Sequence, residues 1–361
     1  MGSLQGFLQA LLQCLKFFCQ NDILNGRKIH SWMGDDSVNL PVLLLCLAAA
    51  AVLLTLLTAY ICFRIVFYAS RKGENHEEIS LPAGKAYVPY KEEIIHWTQR
   101  KRALPYQEFC IQSFDGLTLR GRHYEYEPGA PIELMVHGYH GTAERDMSAG
   151  IFRSFSVGHS AFLVDQRASG YSDGHVITFG INESRDCRRW VDFLIEHFGQ
   201  EVRIMLAGIS MGAATVLMTA GEPLPEQMVG VLADCGFTSA KEIICQVMKK
   251  LHLPPKLLYP FVRLGARLYG GFALEERSPI KAVSRCPLPV ISYHGDNDQL
   301  LPHWMSKANF DACAASKKLV TIPGAGHGLA FLRDKEGYLR ELVAFCKEND
   351  IPHTDNGLTR L

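Results

Sequence analysis

From Leu40 to Phe63 the chain carries no Asp, Glu, Lys, Arg or His, a run of 24 residues. As an α-helix at ~1.5 Å per residue such a run rises about 36 Å, more than the ~30 Å hydrocarbon layer of a bilayer. It predicts a transmembrane helix within residues 37–70. A core helix of that length would need protein on every side. A cleaved signal sequence fits less well, because the run starts late, is too long and has no basic stretch immediately before it. Upstream, Leu4, Phe7, Leu8, Leu11, Leu12, Leu15 and Phe18 recur at helical spacing with Gln5, Gln9, Gln13 and Lys16 between them. Residues 1–36 therefore read as an amphipathic segment, suited to a membrane surface or to the side of the span. Position 6 is Gly, so Met1-Gly2 does not open a myristoylation motif.

Beyond residue 70 the pattern changes. Residues 71–104 are polar and weakly periodic, the composition of a linker and lead-in. From Pro105 to about residue 348, short apolar runs alternate with helix-period stretches. A hairpin is expected at Asp115-Gly116, and strands at Ile132–Val136, Ala161–Val164, Val202–Leu206, Val229–Ala233 and Leu288–Tyr293. Helices are expected at Glu183–His197 and Ala213–Ala220, after Pro302, and near Asp334–Phe345. This alternation predicts an α/β domain: a mostly parallel sheet with helices on both faces. Residues 240–278, apolar and helical with Pro254-Pro255 and Pro260, read as a short cap over the crevice at the strand ends. Residues 349–361 read as a tail.

Composition narrows the chemistry. Lys plus Arg and Asp plus Glu both number 37, so no net field is available to hold a polyanion, and nucleic acid is excluded as a partner. The 11 cysteines include no C-x-x-C and no zinc-ligand spacing, and read as reduced buried thiols rather than a metal site or a disulfide framework. No G-x-G-x-x-G follows a strand, and no cofactor is expected. Arg64, Arg71 and Lys72 follow the apolar run closely, against Arg27 and Lys28 before it, which by the positive-inside rule places the C-terminal part in the cytoplasm by one residue. Free thiols agree with that side, and the lone sequon Asn182-Glu183-Ser184 is too common a pattern to weigh against it.

Two segments match G-x-S-x-G, around Ser172 and around Ser210. Ser210 follows an apolar strand run and precedes the helix-forming run from Ala213, the strand, sharp turn and helix of a nucleophile elbow. Ser172 lies among polar, turn-prone residues and reads as loop. A serine hydroxyl needs a base, and the base an orienting carboxylate. His327, in Gly324-Ala325-Gly326-His327-Gly328, is the expected base. Asp298, in His294-Gly295-Asp296-Asn297-Asp298, is the expected acid, in the chain order Ser, acid, His. Asp296 and Asp234 are the alternatives for the acid. The oxyanion hole is expected from the backbone N–H groups of Met211, after the nucleophile, and Tyr139, in the loop His137-Gly138-Tyr139-His140-Gly141.

Through these motifs the chain resembles the α/β-hydrolase superfamily over roughly residues 105–348. More narrowly it is similar to membrane-anchored serine hydrolases of Gram-positive bacteria, in the runs Gly208–Met218, Ala233–Ser239 and His294–Asp298. Asp165–Ser172 is similar to the superfamily's D-x-R-G-x-G-x-S loop, with Ala168 where Gly is usual. The resemblance implies the α/β-hydrolase fold and a serine hydrolase of carboxylic esters or related acyl groups. Peptidase and thioesterase chemistry would use the same machinery. A tethered binding protein that had lost turnover would show a degenerate triad, and this one is intact. The expected partners are the membrane and a small-molecule or lipid acyl substrate. No expected site residue precedes Tyr139, so a chain starting near Glu74 is expected to be soluble and to keep its rate on short soluble esters.

Overall fold

The computed structural model describes residues 40–69 and 78–357, so the expected amphipathic segment lies outside the described residues. The chain divides into two compact units, one reaching Leu57 and one beginning at Thr58. The helix α1, Leu40–Val66, is 27 residues long and apolar enough to cross a membrane. Leu45, Leu53 and Leu54 are each about two-thirds exposed, so within the first unit these side chains are not the core of a soluble bundle.

In the second unit, α2 (Lys91–Ala103) follows a 3₁₀ turn at Lys85–Tyr90 and leads into β1 (Gln107–Gln112) and β2 (Thr118–Tyr124). Next come β3 (Ile132–Val136), α3 (Ala143–Ser156), β4 (Ser160–Asp165), α4 (Ile181–Phe198), β5 (Ile204–Ile209), α5 (Met211–Ala220) and β6 (Met228–Asp234). The helices α6 (Ala240–Lys250), α7 (Pro255–Tyr269) and α8 (Pro279–Val283) precede β7 (Val290–Gly295). The order closes with α9 (Trp304–Ala312), β8 (Lys317–Ile322), α10 (Ala330–Arg333) and α11 (Lys335–Glu348).

The eight strands form one sheet in the order β1-β2-β4-β3-β5-β6-β7-β8. Only β2 runs against its neighbours, so the sheet is mostly parallel. The central strands are apolar, as burial on both faces requires, with one exception in β3. Glu133, buried inside β3, is compensated by Arg153 and by His159 Nδ1 at 3.1 Å. The strand ends are staggered so that Val136 pairs with Gly208, Ile209 with Asp234, and Asp234 with Tyr293. The loops after β3, β5, β7 and β8 therefore emerge at one edge.

Three boundaries differ from the sequence expectation. The stretch to residue 104 is not simply a linker: α2 turns Ile94, Trp97, Thr98 and Lys101 inward, and Trp97 joins the core. That stripe is half polar, which hid its periodicity; Lys101 reaches Glu144 at 2.6 Å. The C-terminal tail also packs, with Ile351 buried and His159 Nε2 2.7 Å from the Pro352 carbonyl. Finally, the last turns of α1 belong to the second unit. Ala59, Phe63 and Phe67 are buried there with Phe179, Met211, Val262 and Phe272. At Gly265 of α7 a Cβ would stand 2.4 Å from the Ala59 carbonyl oxygen, so only glycine lets the two helices approach.

Candidate active site

The turn after β5 is tight. Ser210 has φ 57° and ψ −115°, a conformation that a side chain tolerates only where its surroundings enforce it. Its N–H donates to the Asp234 carbonyl at 2.8 Å. A Cβ on Gly208 would stand 2.3 Å from the Gly212 oxygen, and one on Gly212 1.9 Å from the Val136 oxygen. Both glycines of the motif are thus required by backbone-to-backbone packing. Ser210 lies at the N-terminal end of α5, where the helix contributes positive potential.

His327 Nε2 stands 3.0 Å from Ser210 Oγ, and its Nδ1 2.7 Å from Asp298 Oδ2. The Asp298 side chain is almost fully buried. Its Oδ1 accepts the amides of Leu300 and Leu301 at 2.7 and 2.8 Å. Burial alone would raise its pKa, but hydrogen bonds from His294 and His327, the His327 charge and the Leu301 amide outweigh it and hold the carboxyl well below the usual range. Asp298 is therefore ionised throughout the neutral range, and a carboxylate there fixes the proton of His327 on Nδ1, leaving Nε2 to accept from Ser210.

The other acid candidates do different work. Asp296 is exposed, and its Oδ1 accepts the Gly324 amide at 2.6 Å, ordering the loop that carries His327. Asp234 is buried, and burial pushes its pKa up to about 6. It meets the Tyr338 hydroxyl at 3.4 Å, and among the described residues makes no hydrogen bond to His327. Ser172, the other motif serine, is buried, donates to the Asp165 carbonyl at 2.5 Å and accepts the Arg120 amide at 2.9 Å. Ala168 has φ 61°, which explains why glycine is usual at that position.

The loop after β3 is pinned at several points. The Gln166 amide donates to His137 Nε2 at 3.0 Å, so the His137 proton sits on Nδ1, 2.9 Å from the Gly138 carbonyl. That carbonyl also accepts the Gly141 amide at 3.1 Å. In a trans peptide the following N–H points opposite the carbonyl, so the Tyr139 N–H is turned away from these donors. Met211 opens α5, and its N–H has no partner in a preceding turn. Tyr139 and Ser210 both line a cavity of about 290 Å³, whose apolar wall comes from Ile94, Trp97, Ile209 and Leu332.

Sequence reasoning missed the source of that wall. None of residues 240–278 lines the cavity; the roof comes from Pro82, Ala83, Tyr87, Ile94 and Trp97 instead. Helices α6 and α7 pack on the end of α1 and do not reach the pocket. Tyr87 donates its hydroxyl to the His327 carbonyl at 2.8 Å, tying the roof to the histidine loop. His294 was visible only as the first residue of the acid motif, yet it contacts Asp298 at 3.3 Å. Among the described residues one group could offer metal ligands, Cys235, Asp298 and His327. Both ring nitrogens of His327 are already engaged, and burial pushes the Cys235 thiol well up, which keeps it protonated and a poor ligand.

Residues 134–272 match a family model described as alpha/beta hydrolase fold. The chain is similar to the uncharacterized protein YqkD of Bacillus subtilis, 24% identical over 239 residues that cover 66% of this chain and 78% of that one. It is also similar to protein bem46 of Schizosaccharomyces pombe, 24% identical over 70% of this chain and 81% of that one. Among solved structures, the Pyrococcus furiosus esterase Pf2001 superposes with a TM-score of 0.57 at 20% identity, covering 70% of this chain and 95% of the esterase. Est1E from Butyrivibrio proteoclasticus, in complex with ferulic acid, gives 0.52 at 20% identity, covering 67% and 99%. Sheet order, family model and structural neighbours agree that this chain has the α/β-hydrolase fold.

Proposed function

We propose that the protein is a membrane-anchored serine hydrolase that cleaves carboxylic esters through Ser210, His327 and Asp298. The observation that carries this reading is the continuous relay from Ser210 Oγ through His327 to Asp298, at 3.0 and 2.7 Å. In the first half-reaction Ser210 Oγ attacks the acyl carbon and His327 Nε2 takes its proton. Asp298 stabilises the imidazolium, and the Tyr139 and Met211 amides receive the oxyanion. Collapse breaks the bond to the leaving alcohol, which takes the proton from His327 and leaves the acyl group on Ser210. Water then attacks with His327 as base, and release of the carboxylic acid restores the serine. The same steps would serve a thioester or an activated amide.

The esterase neighbours and the small apolar cavity favour esters of short apolar acyl groups. Helix α1, about 40 Å long at ~1.5 Å per residue, serves in this reading as a single-pass anchor. Such tethering raises the effective concentration of lipophilic esters at the catalytic domain. In this reading the domain faces the cytoplasm, the side that the basic residues flanking α1 favour by one residue, and protease accessibility in sealed vesicles tests it. The decisive experiment is labelling with a fluorophosphonate probe. Wild type is expected to label and to hydrolyse p-nitrophenyl butyrate, and Ser210→Ala to do neither; labelling that survives Ser210→Ala sinks the assignment.

A further inference from the structure

We propose that the Tyr139 side chain is a positioning residue: its hydroxyl, bound to the last carbonyl of α1, fixes the loop whose amide receives the oxyanion. This rests on the serine hydrolase reading above and adds to it that the end of α1 is part of the catalytic apparatus. Tyr139 Oη donates to the Val66 carbonyl at 2.8 Å. A carbonyl at a helix C-terminus has no intrahelical partner, so this bond satisfies an otherwise orphaned acceptor as well as holding the tyrosine. Burial raises the Tyr139 pKa, so the hydroxyl keeps its proton and acts as donor.

The Val66 carbonyl is itself held in place. Phe67 is fully buried, edge-on to Phe179 at 5.8 Å and to Phe272 at 5.3 Å. The Phe67 carbonyl accepts the Ile177 amide at 2.8 Å, and the Ala69 amide donates to the His175 carbonyl at 2.8 Å. Tyr68 stacks on His175 at 5.6 Å and Arg64 lies over the Tyr68 ring at 3.8 Å. Residues 63–69 thus form a fixed strut rather than the start of a tether.

On the other side of the bond, the loop is pinned at His137, at the Gly138 amide by Asp146 at 3.0 Å, and at the His140 carbonyl by Arg145 at 3.0 Å. Those bonds and the Gly138–Gly141 turn hold the backbone on either side of Tyr139, and its side chain adds a further anchor to the loop. The ring packs on Phe179 at 5.1 Å, and the hydroxyl bond to Val66 fixes its far end. Oxyanion donors work only within a few tenths of an ångström of their target, so a loosened Cα lowers turnover rather than binding.

The test uses the full chain in detergent micelles, with p-nitrophenyl butyrate as substrate and thermal unfolding as the structural control. Tyr139→Phe keeps the ring packing and removes only the bond. It is expected to lower kcat by about tenfold to a hundredfold, with KM within about twofold and the unfolding midpoint nearly unchanged. Phe67→Leu, which loosens the strut, is expected to lower kcat in the same way, and the double variant to be no worse than the poorer single one. A Tyr139→Phe enzyme with wild-type kcat overturns the proposal. So does a loss that follows the fraction unfolded, or losses in the two variants that simply multiply. Turnover that persists in Ser210→Ala would instead remove the serine hydrolase reading itself.

Discussion

His294 Nε2 lies 3.3 Å from Asp298 Oδ2, the same oxygen that His327 Nδ1 approaches at 2.7 Å. The same His294 nitrogen is 3.0 Å from the Leu301 carbonyl, and with two acceptors before it that nitrogen carries the proton. Ser306 Oγ meets the other ring nitrogen at 2.7 Å. A buried histidine four residues before Asp298 therefore braces both its carboxylate and the loop behind it. His294→Leu is expected to cut kcat by about tenfold to a hundredfold with little change in KM, since it disturbs alignment rather than substrate binding. His294→Gln, which retains an N–H at similar reach, should recover part of that rate. Equal rates for both variants and wild type would deny His294 any part in aligning the acid.

The two buried aspartates should separate cleanly. Asp298→Asn is expected to lower kcat by roughly three to four orders of magnitude, because an amide presents the imidazole in the wrong tautomer. Asp234→Asn should keep most of the rate. Near-normal turnover in Asp298→Asn together with loss in Asp234→Asn would move the acid to the end of β6.

Asp234 also makes a prediction about pH. Burial raises its folded pKa to about 6, above the ~3.9 of an unfolded aspartate. A raised carboxyl pKa means that the charged form is penalised in the folded state. The penalty is absent below pH ~4, grows between pH ~4 and ~6, and is fully present above that, amounting to at most about 3 kcal/mol. Asp234→Asn should therefore be more stable than wild type to denaturant at pH 8 and show no advantage at pH 4. A constant difference across that range would mean that Asp234 does not titrate there.

The parts of the site legible in the sequence were those whose chemistry is concentrated in a few adjacent residues. The elbow around Ser210 needs a glycine on each side because backbone meets backbone there, and Asp298 and His327 each sit in a short polar run after a strand. The central strands were legible for a similar reason, since burial on both faces forces apolar runs such as β5, and β3 apart from Glu133. Elements with mixed faces were not. The edge strand β8 is buried only at Ile322, and α3 buries Ser148, Arg153 and Ser154 beside Met147 and Ile151, which blurs its period. Likewise the pocket roof from Pro82 to Trp97 reads as linker because its packing rests on a few aromatic residues spaced along a polar stretch.

Ser172 provides the control for the motif itself. With its hydroxyl placed between the Asp165 carbonyl and the Arg120 amide, Ser172→Ala leaves both groups without that bond. A loss of about 1–3 kcal/mol of stability is expected, with fluorophosphonate labelling of the folded protein unchanged. Loss of labelling in folded Ser172→Ala would move the nucleophile from Ser210 to Ser172.

The end of α1 yields the prediction that departs most from a reading of the sequence alone. No residue of the proposed relay precedes Tyr139, which suggests that a chain beginning near Glu74 should fold and work. In the structure that chain would lack Phe63, Phe67 and Ala69, which are buried against Phe179, Met211 and Phe272. Burying one phenylalanine side chain contributes about 1.5–3 kcal/mol, so the two together supply roughly 3–6 kcal/mol. Against a typical domain stability of about 5–15 kcal/mol, that is enough to leave the shortened chain marginal or unfolded. It would also expose a contiguous apolar surface on α7 and beside the elbow, a liability for aggregation. A chain beginning at Thr58 keeps the strut while discarding the apolar helix up to Leu57, and should be folded and active on p-nitrophenyl butyrate where the Glu74 form is not. Comparable midpoints and kcat for the two shortened forms would show that residues 58–69 are dispensable to the hydrolase domain.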